Sequence, residues 1–422
     1  MLWKEVFLMI LLPHEKDMLR TLAQQYMTHA VSAQQQSTQK LWIAHNTGHI
    51  ERPMVLIDQI PWHEMDVDGS LICQIQDPYW QQIEQNLRRK IYQFEHMPAD
   101  MVLPPYLLLP HVLQDENYRM FGIATKESTS SADAASDVVS HEYINQFESI
   151  QDVDKIKYTD LRADRAKESE IQAFADEIFS GILPVRWQGI TLHLGLWDTV
   201  SQWVGVEECY YLFADEPELL HAIMEKLTTA TLRLIAQGNE EQLFDVTSGS
   251  CHCSSIMTKP FDDPIWNRPG ISQNAWAFGM AQLFTSVAPA VTQEFEVPYM
   301  QRLFEPFGDI YYGCCERLDD RLDIIEQMPH IRKISCSPWS DVDHFAACLP
   351  KKYILSNKPN PALVGAGVMD DDAVRKDLLH TINAAKVNQL RLEMILKDNS
   401  SVQYQPQRLW NFSRIALECA QM

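Results

Sequence analysis

The feature that most constrains the fold is a repeated alternation, in which short apolar runs are each followed by a segment with apolar residues at helical spacing. A run that is apolar on both alternations suits a strand buried on both faces, and strand, helix, strand is the grammar of a parallel sheet. The strand candidates are 54–57, 99–105, 189–197, 243–247, 309–312, 331–335, 353–356 and 389–395. Helices are expected between them, at 79–96, 217–236, 276–288, 319–327, 341–349 and 370–385. Eight strands alternating with helices is the count of an α/β (β/α)8 TIM barrel, whereas a doubly wound sheet calls for a glycine-rich phosphate turn that the chain lacks. Residues 1–50 read as an N-terminal helical cap, opening on an apolar run that starts an amphipathic helix, and 51–422 read as the barrel. The polar, aperiodic stretch 114–185, after the second strand, is too long for a standard connection and reads as an insertion or lid.

Charge narrows the partners. The 57 acids against 35 bases among 422 residues give a net charge of −22, a field that repels nucleic acid and anionic membrane surfaces. No apolar stretch approaches the ~18 to 20 residues of a membrane span. Nine cysteines, an odd total, are too few for a disulfide scaffold and point to free thiols in a reducing cytoplasm.

In a barrel the chemistry gathers at the C-terminal ends of the strands, and four of these ends carry reactive groups. They are Cys251, His252 and Cys253 after the fourth strand, Cys314, Cys315 and Glu316 after the fifth, Cys336 at the sixth, and Glu393 in the eighth. Thiolate, imidazole and carboxylate meeting at a barrel mouth would make a zinc site with one open position. Any one cysteine is more often a small buried hydrophobe, so the clustering carries this expectation, and strand alternation favours Cys314 over Cys315. Glu393, on an apolar strand, needs a metal, a cation or a proton to be tolerable. Asp58, Trp62, Tyr106, Trp197, Trp276 and Trp339 lie near strand ends and are the candidate substrate-binding residues, although aromatics that close a barrel top as plain core are as common. No G-x-S-x-G elbow, P-loop or dinucleotide fingerprint occurs.

The stretch 309–361, with Tyr312-Gly313-Cys314-Cys315-Glu316 and Ser335-Cys336-Ser337-Pro338-Trp339, resembles the C-terminal half of uroporphyrinogen-decarboxylase-like barrels, in their branch of corrinoid-linked methyltransferases. Residues 393–398 with 408–410, Arg52-Pro53 and 281–289 are similar to the same branch. The resemblance implies zinc-dependent transfer of a methyl group between a small methylated substrate, such as an aryl methyl ether or a methylamine, or a thiol, and a corrinoid carried by a separate partner protein. Members of the branch hold zinc through a His-x-Cys pair on the fifth strand and a later Cys or acidic ligand. Here Tyr312 stands where that histidine is usual, so the implied metal set is Cys314, Cys336 and Glu393, with His252 or Cys253 in place of the histidine. Glu393 and Tyr312 are the implied catalytic residues. The decarboxylases of the superfamily carry an arginine-rich segment after the first strand, where this chain has the acidic loop Asp58 to Glu64. Tetrapyrrole decarboxylation is therefore the alternative, beside a non-catalytic corrinoid-binding barrel.

Overall fold

The computed structural model describes residues 11–130 and 139–422, so the apolar run at 1–10 lies outside the described residues. In chain order the strands are β1 (Met54–Ile57), β2 (Leu107–Pro110), β3 (Glu127–Ser130), β4 (Ser140–Tyr143), β5 (Val185–Gln188), β6 (Ser250–Cys251), β7 (Ser254–Ser255), β8 (Trp276–Gly279), β9 (Asp309–Tyr312), β10 (Ile331–Cys336), β11 (Ile354–Asn357) and β12 (Arg391–Leu396). Six of them form one parallel sheet in the order β1-β12-β11-β10-β9-β8, and β2 pairs in parallel with β5. Single parallel bridges extend the six-stranded sheet, His193 to Phe278 and Ile190 to Phe244. The arrangement is α/β and TIM-barrel-like, but among the described residues the strand ladders do not close into a complete barrel.

The elements that differ from expectation have physical reasons. Residues 99–105 form no strand, and β2 begins at Leu107, because Pro104 and Pro105 have no N–H to give to a ladder. Residues 189–197 and 243–247 make bridges rather than strands, and the ladder gives way to a helix at Leu196. Residues 276–279, expected to open a helix, are strand β8, because Trp276 to Gly279 pair in register with Asp309 to Tyr312 of β9. Much of the expected insertion is also regular. The helix Arg165–Phe179, capped by the Asp164 side chain on Lys167 N, buries Ile171, Ala175, Ile178 and Phe179 beside Ile83 and Leu87 and leads directly into β5. The β3–β4 hairpin and the turn Ile150–Lys155 remain as the excursion.

Gly189 shows how tightly the segment between β5 and β8 is packed. A Cβ there would run into the backbone of Phe244 and Asp245, and backbone cannot swing aside. Gly189→Ala is therefore expected to lower the unfolding free energy by about 1–3 kcal/mol, read as a lower thermal midpoint by circular dichroism. An unchanged midpoint would mean that the 189 and 244–245 segments can part without loss of stability.

Side-chain alternation divides the interior into two layers. Ile310, Tyr312, Ile334, Cys336, Leu355 and Met394 belong to the large core between sheet and helices, while Phe278, Tyr311, Cys253, Cys314 and Ile395 form a separate cluster on the inner face of the sheet. The N-terminal helices Pro13–Ala30 and Ala33–Asn46 pack onto one side: Trp42 Nε1 donates to Asp100 O at 2.7 Å, and Asn46 Nδ2 donates to the carbonyls of Ser255 and Met257. Among the described residues no helix is long and apolar enough to cross a membrane.

Candidate active site at the ends of β9 and β12

Past the end of β9 the chain turns at Gly313, whose φ of +91° suits a residue without Cβ, and Cys314 follows. Its backbone is held on both sides, by Ser335 Oγ donating to Cys314 O and by Cys314 N donating to Glu316 Oε2, each at 2.8 Å. On β12 the inward positions Glu393 and Ile395 continue to Lys397, just beyond the strand, whose Nζ lies 2.8 Å from Cys314 Sγ and 3.5 Å from Cys315 Sγ. From the β6–β7 hairpin, His252 adopts a left-handed backbone at φ +51°, stacks on Phe278 with ring centres 3.9 Å apart, and places Nε2 3.8 Å from Cys314 Sγ. Three chain segments therefore meet at one sulfur.

The electrostatics follow from that geometry. The neighbouring Cys315 thiol holds Cys314 far below the usual thiol range, to about 3, and His252 and the Lys397 charge act in the same direction against burial. Burial disfavours the His252 cation, but Cys253 and Cys314 beside it raise its pKa to about 9. Burial likewise opposes the Lys397 charge, and Cys314 and Cys315 outweigh it. At neutral pH the arrangement is a thiolate between an imidazolium and an ammonium. Cys315, pushed upward by its neighbour Cys314, stays a thiol 3.0 Å from Asp398 Oδ2.

A second polar cluster lies deeper on the same inner face. Glu393 Oε2 is 2.7 Å from Lys333 Nζ and accepts from Ser254 Oγ at 2.8 Å, and both charged side chains have no exposed surface. Lys333 also donates to Ser254 Oγ and Ser255 O, so its ammonium is saturated although burial pushes its pKa down. Burial raises the Glu393 pKa, but the Lys333 charge outweighs it and holds the carboxyl below the ordinary carboxylate range, so the pair is ionised. Beside it, Lys358 Nζ donates to Tyr311 OH at 2.5 Å and Ser356 Oγ at 2.7 Å, and Cys253 Sγ lies 3.8 Å from Tyr311 OH.

No protein-family model and no curated protein matches the chain. Its fold is similar to that of a methyltransferase from Methanosarcina mazei. The two superpose with a TM-score of 0.51 over 91% of this chain and 98% of that one. At 10% identity the likeness to the Methanosarcina methyltransferase concerns the fold alone.

On this fold the residues named from the sequence separate. Cys314 and His252 are brought together, whereas Cys336 and Glu393 do not join them. Cys336 lies on the helix-facing side of β10, where burial pushes its thiol up to about 12, and Glu393 is taken by Lys333. Tyr312, one position from the inward Tyr311, faces the helices with its hydroxyl 3.4 Å from Glu296 Oε1, so it does not reach Cys314. Alternation along a strand is the reason in both cases, since neighbouring side chains point to opposite faces. Among the described residues no group of three or more His, Cys, Asp or Glu side chains could hold a metal ion. The ammonium of Lys397 occupies the space beside Cys314, so the Cys314, Cys336, Glu393 set does not fit zinc.

The substrate-binding candidates also divide. Asp58 and Tyr106 line one cavity of about 260 Å³, which His252 and Cys253 border. Trp276 packs partly buried against the inner cluster. Trp62 lies under the Arg89 guanidinium, and its ring meets Tyr92 edge-on. Trp197 is fully buried core, with Nε1 donating to Phe295 O, and Trp339 is 68% exposed. Sequence reasoning missed Tyr311, Lys333, Lys358 and Lys397 as site residues. The signal for Lys333 was present: a lysine inside the apolar run 331–335 demands a buried acid, and Glu393 was the acid in want of a cation.

Proposed function

We propose that this chain is a methyltransferase in which the Cys314 thiolate meets the methyl carbon. The observation that carries the reading is the thiolate fixed between Lys397 and His252 at the carboxyl ends of parallel strands, where this fold places its chemistry. A soft anion of this kind is a good nucleophile toward a methyl carbon. Sγ attacks, the S–CH3 bond forms as the CH3–X bond breaks, and X leaves with the bonding pair. His252, charged at neutral pH, would give X its proton. Once His252 has taken a proton back from water and the methyl group moves on, the thiolate that re-forms is stabilised by His252 and Lys397 together.

The partner we infer is a protein-bound corrinoid, which supplies the cobalt that takes or gives the methyl group. No step is routed through zinc. Tetrapyrrole decarboxylation lacks its binding machinery, since Arg88 is taken by Glu84 at 2.7 Å and Asp58 leaves the first loop acidic.

Free cob(I)alamin can stand in for the corrinoid protein in a panel of aryl methyl ethers, methylamines and methylated zwitterions. The expected result is a methylcobalamin spectrum with at least one donor, and a tryptic peptide containing Cys314 heavier by one methyl group when cobalamin is left out. Folded protein that yields neither product with any donor overturns the reading.

A further inference from the structure

From the cavity that His252 borders, we infer that the substrate is a small methylated zwitterion, its ammonium end held by Asp58 and its carboxylate by Lys90. This rests on the methyl-transfer reading for its chemistry, but not for its binding. Both residues line the cavity, Asp58 half-buried and Lys90 exposed, and among the described residues neither side chain has a hydrogen-bond partner within 3.5 Å or an ion-pair partner within 4.0 Å. An ammonium and a carboxylate that border one cavity without partners of their own make a dipolar receptor whose charges remain available to a ligand.

The fold fixes both groups. Asp58 follows β1, and its backbone N–H donates to Leu396 O at 2.8 Å, which sets it beside the end of β12, one residue before Lys397. Lys90 lies on the helix Pro78–His96, and one turn further on Gln93 Nε2 donates to Ile57 O, which anchors that helix face against the same strand end. The two charges sense each other electrostatically. Asn86 and Gln188 add amide groups to the lining, and Leu56, Leu87, Met101 and Leu108 add apolar surface, so the space suits a ligand that carries methyl groups between charged ends. The methylated ammonium bound at Asp58 would sit by the strand end whose next residue, Lys397, touches Cys314.

Calorimetric titration of the full chain, without any corrinoid, separates the possibilities with three probes of one shape. Glycine betaine carries both charges, choline only the cation, and 3,3-dimethylbutanoate only the anion. Betaine is expected to bind at least about 10-fold more tightly than either single-charge probe. Asp58→Asn and Lys90→Met are each expected to weaken betaine by about 10-fold or more while leaving the thermal midpoint in place. Equal binding of all three probes, no binding of betaine, or variants that bind betaine as the parent does would each overturn the inference. Because no methyl transfer is read, a chain that binds betaine but transfers nothing counts against the methyl-transfer reading alone. One that demethylates another donor without binding betaine counts against this inference alone.

Discussion

Replacing Cys314 by serine is expected to abolish methyl transfer, by about 10³-fold or more, because an alcohol cannot present an anionic nucleophile at neutral pH. The prior measurement needs no substrate. Iodoacetamide reacts with the thiolate, so the rate at a given cysteine follows its ionisation. With Cys314 anionic far below the usual thiol range, its alkylation is expected to stay level from about pH 8 to about pH 5, whereas an ordinary thiol slows about tenfold per pH unit below its pKa. Peptide mass spectrometry after brief labelling in a methyl-free buffer assigns the site. Lys397→Met should move the acid limb of that profile toward neutrality and slow labelling at pH 5, since one of the two cations beside the sulfur is gone. A Cys314 profile that falls away near pH 8 like a free cysteine would remove the physical basis of the mechanism, whatever the fold.

The second large effect concerns stability. Lys333 and Glu393 are an ion pair with no exposed surface, so removing either partner strands the other charge in the core. Lys333→Met and Glu393→Gln are each expected to cost about 3–5 kcal/mol in denaturant unfolding. The double variant Lys333→Met with Glu393→Leu should recover much of that loss, because replacing both charges with apolar groups removes the desolvation penalty as well as the attraction. A loss in the double variant equal to the Lys333→Met loss plus that of Glu393→Leu alone would show that the two side chains do not interact. The pH dependence has a definite sign. The Glu393 pKa is lower in the folded chain than in the unfolded chain, so its contribution is complete above the unfolded value of about 4.3 and is lost as pH falls through the folded value. The parent should therefore lose stability on acidification below about pH 4, and Glu393→Gln should lack that component.

These two expectations also show what could be read in advance. Cys314 was legible because thiols crowd one run at the end of an apolar strand, and the turn glycine at 313 precedes it. Glu393 was legible as a carboxylate needing compensation, but its partner was assigned to a metal when the chain supplies a cation, Lys333, 60 residues away. Tyr312 and Cys336 were misplaced by one strand position each, which is all that separates the inner face from the helix-facing side. Strand β8 was taken as a helix because four residues are too few for periodicity to decide, and only pairing with β9 makes Trp276 to Gly279 a strand.

Apolar runs and helical spacing are local and their order dictates how layers stack, so the parallel α/β architecture and the helices before β1 could be read from residue order alone. Which reactive side chains meet depends on how distant segments close on one another. Lys397, Cys314 and His252 come from three segments up to 145 residues apart, since 397 − 252 = 145, and the register of β12 beside β1 and β11 sets where Glu393 and Lys397 stand. A thiol's ionisation depends on charges within a few ångströms in a low-dielectric interior, and that distance exists only once the chain has closed around it.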